Sequence, residues 1–108
     1  MNDAKPSDAH KDALFLAAER AFAKPFDAVL ELRPDDGQSI WVDGRANPPG
    51  LLREPPKDSA PACCWRGPRE TLQRALANSR AFDSAYLSGR LSVSGDIAVM
   101  ARLELEGR

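Results

Sequence analysis

The chain has 108 residues, of which 43% are hydrophobic and 29% are charged, and this is typical of one folded domain. Its formal net charge of −1 disfavours a nucleic-acid binder, because phosphate contacts require a clustered basic surface. No apolar run reaches the roughly 18 residues of a membrane span, and the polar N-terminal segment lacks the apolar stretch of a signal peptide. We therefore expect a single cytoplasmic domain, residues 1–108, with no nucleic-acid partner and no integral membrane segment.

The first predicted element is an amphipathic helix. Ser7 is a suitable N-cap residue, and the helix is expected to run to Lys24, where Pro25 disfavours its continuation. Its apolar stripe repeats at helical spacing and is expected to pack on a sheet. The stripe consists of Phe15, Ala18 and Phe22.

A strand hairpin is predicted next. The stretch "FDAVLELR" (26–33) alternates between apolar and polar residues, as a half-buried strand does. The following "PDDG" has the proline and glycine of a tight turn, and "QSIWVD" (38–43) is the expected return strand. Ile40 and Val42 are expected on one face of this strand, with Ser39, Trp41 and Asp43 on the other.

The region from residue 44 to residue 66 is the least regular. Its first part holds five of the nine prolines, and we predict a short edge strand at residues 51–54. The stretch "ACCWR" (62–66) predicts another strand. Cys63 and Cys64 are neighbours, and their Cα atoms, about 3.8 Å apart, are too close for an ordinary disulfide. We expect two reduced structural thiols and no metal site.

Two helices, a strand and a last helix are predicted after Gly67. Pro68 suits the first turn of the first helix, Ser79 is a candidate cap for the second, and Gly89 should end it. "RLSVS" then reads as a strand that ends at Gly95. Asp96 can cap the last helix. The fold class is therefore α+β, with one mostly antiparallel five-stranded sheet and helices packed on one face.

No group of residues in the sequence indicates a catalytic site. The single histidine, His10, lies in polar sequence, and no phosphate loop, metal-ligand spacing or nucleophile motif is present. We therefore predict a protein that is not an enzyme and needs no cofactor. The remaining feature is the apolar surface of the second half, which is either closed core or the lining of a cavity for an apolar ligand.

The second half resembles the C-terminal half of the sterol carrier protein type 2 family. The resemblance rests on the block "SGRLSVSGDIAVMARL" (88–103), with both glycines, the aspartate and the following helix in place. "FDAVLELRPDDGQSIWVDG" (26–44) is similar to the family's first hairpin, whereas residues 45–62 match poorly. The resemblance implies helices that enclose an apolar tunnel above the sheet.

The resemblance also implies a function. Members of the family bind sterols, fatty acids, fatty acyl-CoAs and other lipids without a catalytic centre, and an isoprenoid is a further candidate ligand. The alternative is an accessory or scaffold subunit that acts through protein contacts, for example in lipid or quinone biosynthesis, so a protein partner or a homodimer stays open. The residues that we assign to lipid contact are Trp41, Leu72, Leu76, Phe82, Tyr86, Ile97, Met100, Ala101 and Leu103.

Overall fold

A computed structural model describes residues 12–105 of the chain. This part forms, in chain order, α1 (Ala13–Ala21), β1 (Val29–Pro34), β2 (Ile40–Asp43), β3 (Gly50–Leu52), β4 (Cys63–Gly67), α2 (Arg69–Ala77), α3 (Ser79–Leu87), β5 (Ser92–Gly95) and α4 (Ala98–Arg102). The predicted α+β class is confirmed.

The strands form one sheet in the order β3-β2-β1-β4-β5. Every neighbouring pair is antiparallel except the central pair β1 and β4, in which Leu30 lies opposite Cys63 and Leu32 opposite Trp65. The prediction of a mostly antiparallel five-stranded sheet is therefore confirmed, and its one parallel pair lies at the centre.

One face of the sheet is apolar and carries the core. The alternation predicted for the first hairpin is correct, since Leu30, Leu32, Ile40 and Val42 are all fully buried, whereas Trp41 and Asp43 are only half-buried. Trp65 of β4 is the largest fully buried side chain on this face. Most of the other core side chains come from the helices and from Phe22 just after α1. Those from the helices are Leu14, Phe15, Ala18, Ala21, Leu72, Ala75, Leu76, Ala85 and Val99.

The first helix is shorter than the sequence pattern predicts. Within the described residues it begins at Ala13, after the Asp12 side chain, which accepts a hydrogen bond from the Phe15 amide at 2.9 Å. The predicted cap Ser7 lies outside the described residues. The helix ends at Ala21, three residues before Lys24, because Phe22 leaves the helical backbone (φ −93°, ψ 76°) and buries its ring in the core.

The cap between α2 and α3 is also one residue from its predicted place. Asn78 has an extended backbone, and its side-chain oxygen accepts from the amides of Arg80 at 2.8 Å and Ala81 at 3.3 Å. Ser79, the predicted cap, is the first helical residue instead. Asparagine and serine are comparable caps, so sequence alone did not separate them.

The two turn glycines in the second half have their predicted roles. Gly89 (φ 82°) follows the end of α3, and Gly95 (φ 93°) ends β5, both in the left-handed region that favours glycine. The Asp96 carboxylate accepts a hydrogen bond from the Ala98 amide at 3.0 Å, but the N-cap position of the last helix is Ile97, one residue after the predicted cap.

The proline-rich segment is held to the sheet at two places. β3 pairs with β2, with Leu51 opposite Val42, close to the predicted edge strand at residues 51–54. Arg45 pairs with Asp43 at 2.8 Å and with Asp58 at 3.0 Å. The Arg45 guanidinium holds the pKa of both carboxyls below its usual range.

Candidate ligand-binding site

A small apolar pocket opens between the last two helices and the edge of the sheet. Phe82 and Tyr86 come from α3, Val93 from β5, Ile97 from the turn before α4, and Met100 from α4. The pocket has a volume of about 200 Å³. Tyr86 is 49% exposed and Ile97 54% exposed, so these two side chains form its rim. We call this site the apolar pocket.

The local sequence explains why these side chains meet. Phe82 and Tyr86 are four residues apart and therefore share one face of α3, with their rings stacked at 6.1 Å. After β5, the Asp96 amide donates to the carbonyl of Ala62 at 2.7 Å. Val99 is fully buried and anchors α4. The short helix can then present Met100 to the pocket.

Trp65 forms the layer beneath the pocket. Its ring centroid lies 4.9 Å from that of Phe82, and its indole Nε1 donates a hydrogen bond to the Met100 sulfur at 3.1 Å. The Trp65 side chain is fully buried, so Met100 satisfies a donor that water cannot reach. This bond gives Met100 a fixed position at the inner wall of the apolar pocket.

A second opening lies at the other end of the same aromatic row. It has a volume of about 480 Å³ and lies between α1, the 48–49 diproline and β3. Phe22 lines it, and the Phe22 ring lies 6.4 Å from Trp65. The rings of Phe22, Trp65 and Phe82 therefore fill the interior between the two openings. This proline-side pocket is lined by Phe15, Glu19, Phe22, Ala23, Pro48, Pro49 and Leu51.

Three solved structures share this arrangement of sheet and helices. The chain has the fold of a sterol carrier protein type 2 domain. The structures are a UbiJ-SCP2 ubiquinone synthesis protein (23% identity, TM-score 0.56), sterol carrier protein 2 from Yarrowia lipolytica in its apo form (16%, 0.54) and a sterol carrier protein domain of Helicoverpa armigera (10%, 0.57). The matches cover 86%, 90% and 94% of this chain and 76%, 73% and 88% of those chains, respectively. No protein-family model and no curated protein matches the sequence.

Four of the nine predicted lipid-contact residues lie together in this sterol carrier fold. They are Phe82, Tyr86, Ile97 and Met100, and all four line the apolar pocket. Val93 completes its wall and was not predicted. The alternation of Val93 with Ser92 and Ser94 indicated only an inward-facing strand residue, and nothing in that pattern distinguishes core from pocket.

The other five predicted residues lie elsewhere. Leu72 and Leu76 are fully buried on the sheet-facing side of α2 and belong to the closed core. Trp41 lies on the opposite sheet face, where it is paired with Leu52. Ala101 is exposed, and Leu103 is half-buried against the core.

The chemistry of the apolar pocket is limited to contact. Its wall offers carbon, one thioether and one phenol ring, and it has no carboxylate, amine or imidazole. Across residues 12–105, no group of histidine, cysteine, aspartate and glutamate side chains is arranged to hold a metal ion. Both cysteine thiols are free, and burial raises the pKa of each. None of the helices in this range is long and apolar enough to cross a membrane.

Proposed function

We propose that the protein binds the hydrocarbon part of a lipid in the apolar pocket and does not transform it chemically. The observation that supports this proposal most is an open, almost wholly carbon-lined pocket in a domain with the sterol carrier fold. Tyr86 and Ile97 form the rim, and the lining contains no charged side chain, so a hydrocarbon chain in the pocket would lie against apolar groups. A single cytoplasmic domain is part of the same proposal.

The size of the pocket limits what it can hold. At about 200 Å³ it is smaller than common ligand sites of roughly 300–1,000 Å³. Burial of about six methylenes contributes roughly 5 kcal/mol before the costs of association. A short segment of a hydrocarbon chain fits the apolar pocket without any rearrangement of the protein. A longer hydrocarbon chain requires the rings of Phe82 and Trp65 to move toward the proline-side pocket.

A second candidate function is an accessory subunit that acts through protein contacts. Leu87 at the end of α3 is 83% exposed, and the rim residues Tyr86 and Ile97 are 49% and 54% exposed, so the second half carries three exposed large apolar side chains. One similar structure is described as a ubiquinone synthesis protein. An exposed tryptophan would favour this alternative, because aromatic residues are enriched at the centres of protein interfaces. Trp65 is fully buried and Trp41 is half-buried, so neither gives it strong support.

Binding of a fluorescent fatty-acid analogue tests the lipid proposal. Ile97→Asp places a carboxylate on the rim and should weaken the analogue's affinity about tenfold or more, because the chain would have to lie beside an unpaired charge. Leu16→Asp is the matched control. Leu16 is 50% exposed on α1 and lines neither apolar opening, so this variant should bind as the parent does.

Two outcomes would count against the proposal. One is equal binding by the parent and both variants. The other is no binding by the folded parent, together with an organic extract of the purified protein that contains no lipid by mass spectrometry. A partner that binds the parent and is lost on Leu87→Asp would favour the accessory-subunit alternative.

A further inference from the structure

A separate polar pocket lies between the two long helices of the second half. It has a volume of about 170 Å³, the volume that about six water molecules occupy in the liquid. Two guanidinium groups and two hydroxyl groups surround it, and no carboxylate is in its lining. We call it the arginine pocket, and it is lined by Thr71, Arg74, Ala81, Ser84, Ala85 and Arg90.

The chain turn after α3 positions Arg90. The Ala85 carbonyl accepts hydrogen bonds from the Leu91 amide at 3.0 Å and from the Ser88 hydroxyl at 3.2 Å. The same Ser88 hydroxyl oxygen accepts from Arg90 Nε at 3.1 Å. This series of bonds ties the guanidinium to the end of α3 and leaves its two terminal nitrogens available.

The backbone of Arg90 is held by a second contact. A Cβ atom at Gly67 would lie only 2.6 Å from the Arg90 carbonyl oxygen, so the end of β4 packs directly on this residue. Arg90 therefore has a fixed main chain and a tethered side chain. This is an arrangement suited to holding a ligand, since little freedom remains to be lost on binding.

Arg74 and the hydroxyl groups have unused donors. Arg74 approaches Glu70 only to 3.8 Å, which is beyond hydrogen-bond reach, and both side chains are at least 70% exposed. Within residues 12–105, the side chains of Thr71 and Ser84 have no hydrogen bond to another protein group. A larger groove adjoins the arginine pocket and shares Thr71, Arg74 and Arg90 with it. The acids Asp35, Asp36 and Glu70 line the far part of this groove, where Arg69 pairs with Asp36 at 3.1 Å.

We propose that the arginine pocket binds a phosphate group. A single arginine fork matches a carboxylate and a phosphate alike, but this pocket offers two forks and two hydroxyl groups, and a phosphate has more oxygens to accept from them than a carboxylate has. The group could be carried by a soluble phosphate compound or by a lipid headgroup. The proposal does not depend on lipid binding in the apolar pocket, because Phe82 and Tyr86 line that site and none of its wall is shared.

A titration of the isotope-labelled protein with inorganic phosphate tests this site. Sodium chloride is exchanged for phosphate at constant ionic strength, and the backbone amide signals of Ser84, Ala85 and Arg90 are followed. We expect saturable shifts at these residues. Arg74→Gln and Arg90→Gln should each weaken phosphate binding about tenfold or more, because each removes charged hydrogen bonds to the anion.

Arg33→Gln is the matched control. Arg33 is an exposed arginine of β1, on the sheet face opposite the core and outside the lining of the arginine pocket. Its loss changes the net charge by the same amount and should leave the phosphate affinity unchanged. The amide spectrum away from the arginine pocket reports whether each variant is folded, which is expected because Arg74 and Arg90 are exposed.

Vesicles distinguish the two sources of phosphate. Cosedimentation with phosphatidic acid in phosphatidylcholine, released by inorganic phosphate and lost in Arg90→Gln, would support the site with a headgroup as its ligand. Saturable phosphate binding without vesicle binding would support the site with a soluble ligand. Shifts that do not saturate, or that weaken equally in Arg33→Gln, would overturn the proposal.

Discussion

Replacement of Met100 by leucine removes the acceptor of the Trp65 indole N–H while the side-chain volume stays nearly the same. The donor bond is 3.1 Å long, and the Trp65 side chain is 0% exposed, so water cannot replace the sulfur. An unpaired buried donor costs about 1–3 kcal/mol. Because a thioether is a weak acceptor, we expect Met100→Leu to lose about 1 kcal/mol through this bond.

A double-mutant cycle separates the hydrogen bond from packing. Trp65→Phe removes the N–H, so Met100→Leu should lose less stability in that background than in the parent. The free energies of unfolding of all four proteins are measured with urea and circular dichroism. We expect a coupling energy of about 1 kcal/mol. A coupling within about 0.3 kcal/mol of zero would refute the argument that the sulfur satisfies the indole.

Three further changes test the backbone, a helix cap and the thiols. Gly95→Ala should lower the free energy of unfolding by about 2 kcal/mol or more, because φ is 93° and the new Cβ would lie 2.4 Å from a backbone oxygen. Gly50→Ala is the control, since its new Cβ meets no atom within 4 Å, and it should cost less than about 0.5 kcal/mol. Equal losses of stability in the two variants would contradict this argument. Asn78→Ala should lower the free energy of thermal unfolding by about 1 kcal/mol, and no change would show that packing alone holds α3. Burial raises the pKa of Cys63 and Cys64, so both thiols should react slowly with a thiol reagent at neutral pH and faster as the pH rises. Cys64 should react first because it is half-buried, whereas Cys63 is buried. Rapid labelling of Cys63 would show that the core opens.

Local patterns predicted the first hairpin well and the helix ends less well. Alternation identified the inward residues Leu30 and Val42 because each strand has one buried face. The end of α1 at Ala21 depends on Phe22 packing near Trp65, a contact that a helical period does not contain. The parallel pairing of β1 with β4 also depends on tertiary structure, since each strand would show the same alternation of apolar and polar residues in a parallel or an antiparallel pair.

The candidate site was predictable only in part. Phe82 and Met100 belong to an apolar stripe in the sequence, and the resemblance placed that stripe beside a cavity. Leu72 has the same spacing and composition, yet it is fully buried, because α2 packs on β1 and β4 and has α1 and α3 as its helix neighbours. Periodicity reports which side of a helix is apolar, and it carries no information on whether a neighbouring side chain fills the space in front.

The parallel pair of β1 and β4 joins two consecutive parts of the sheet through one ladder of hydrogen bonds. Residues 29–52 supply β1 to β3 and residues 63–95 supply β4 and β5, and the connection between them runs through mostly exposed residues at 54–58. The closure entropy of such a connection grows slowly, by about 0.6 kcal/mol for each doubling of its length. The fold can therefore accept a long insertion at this point, at the cost of one exposed ion pair between Arg45 and Asp58.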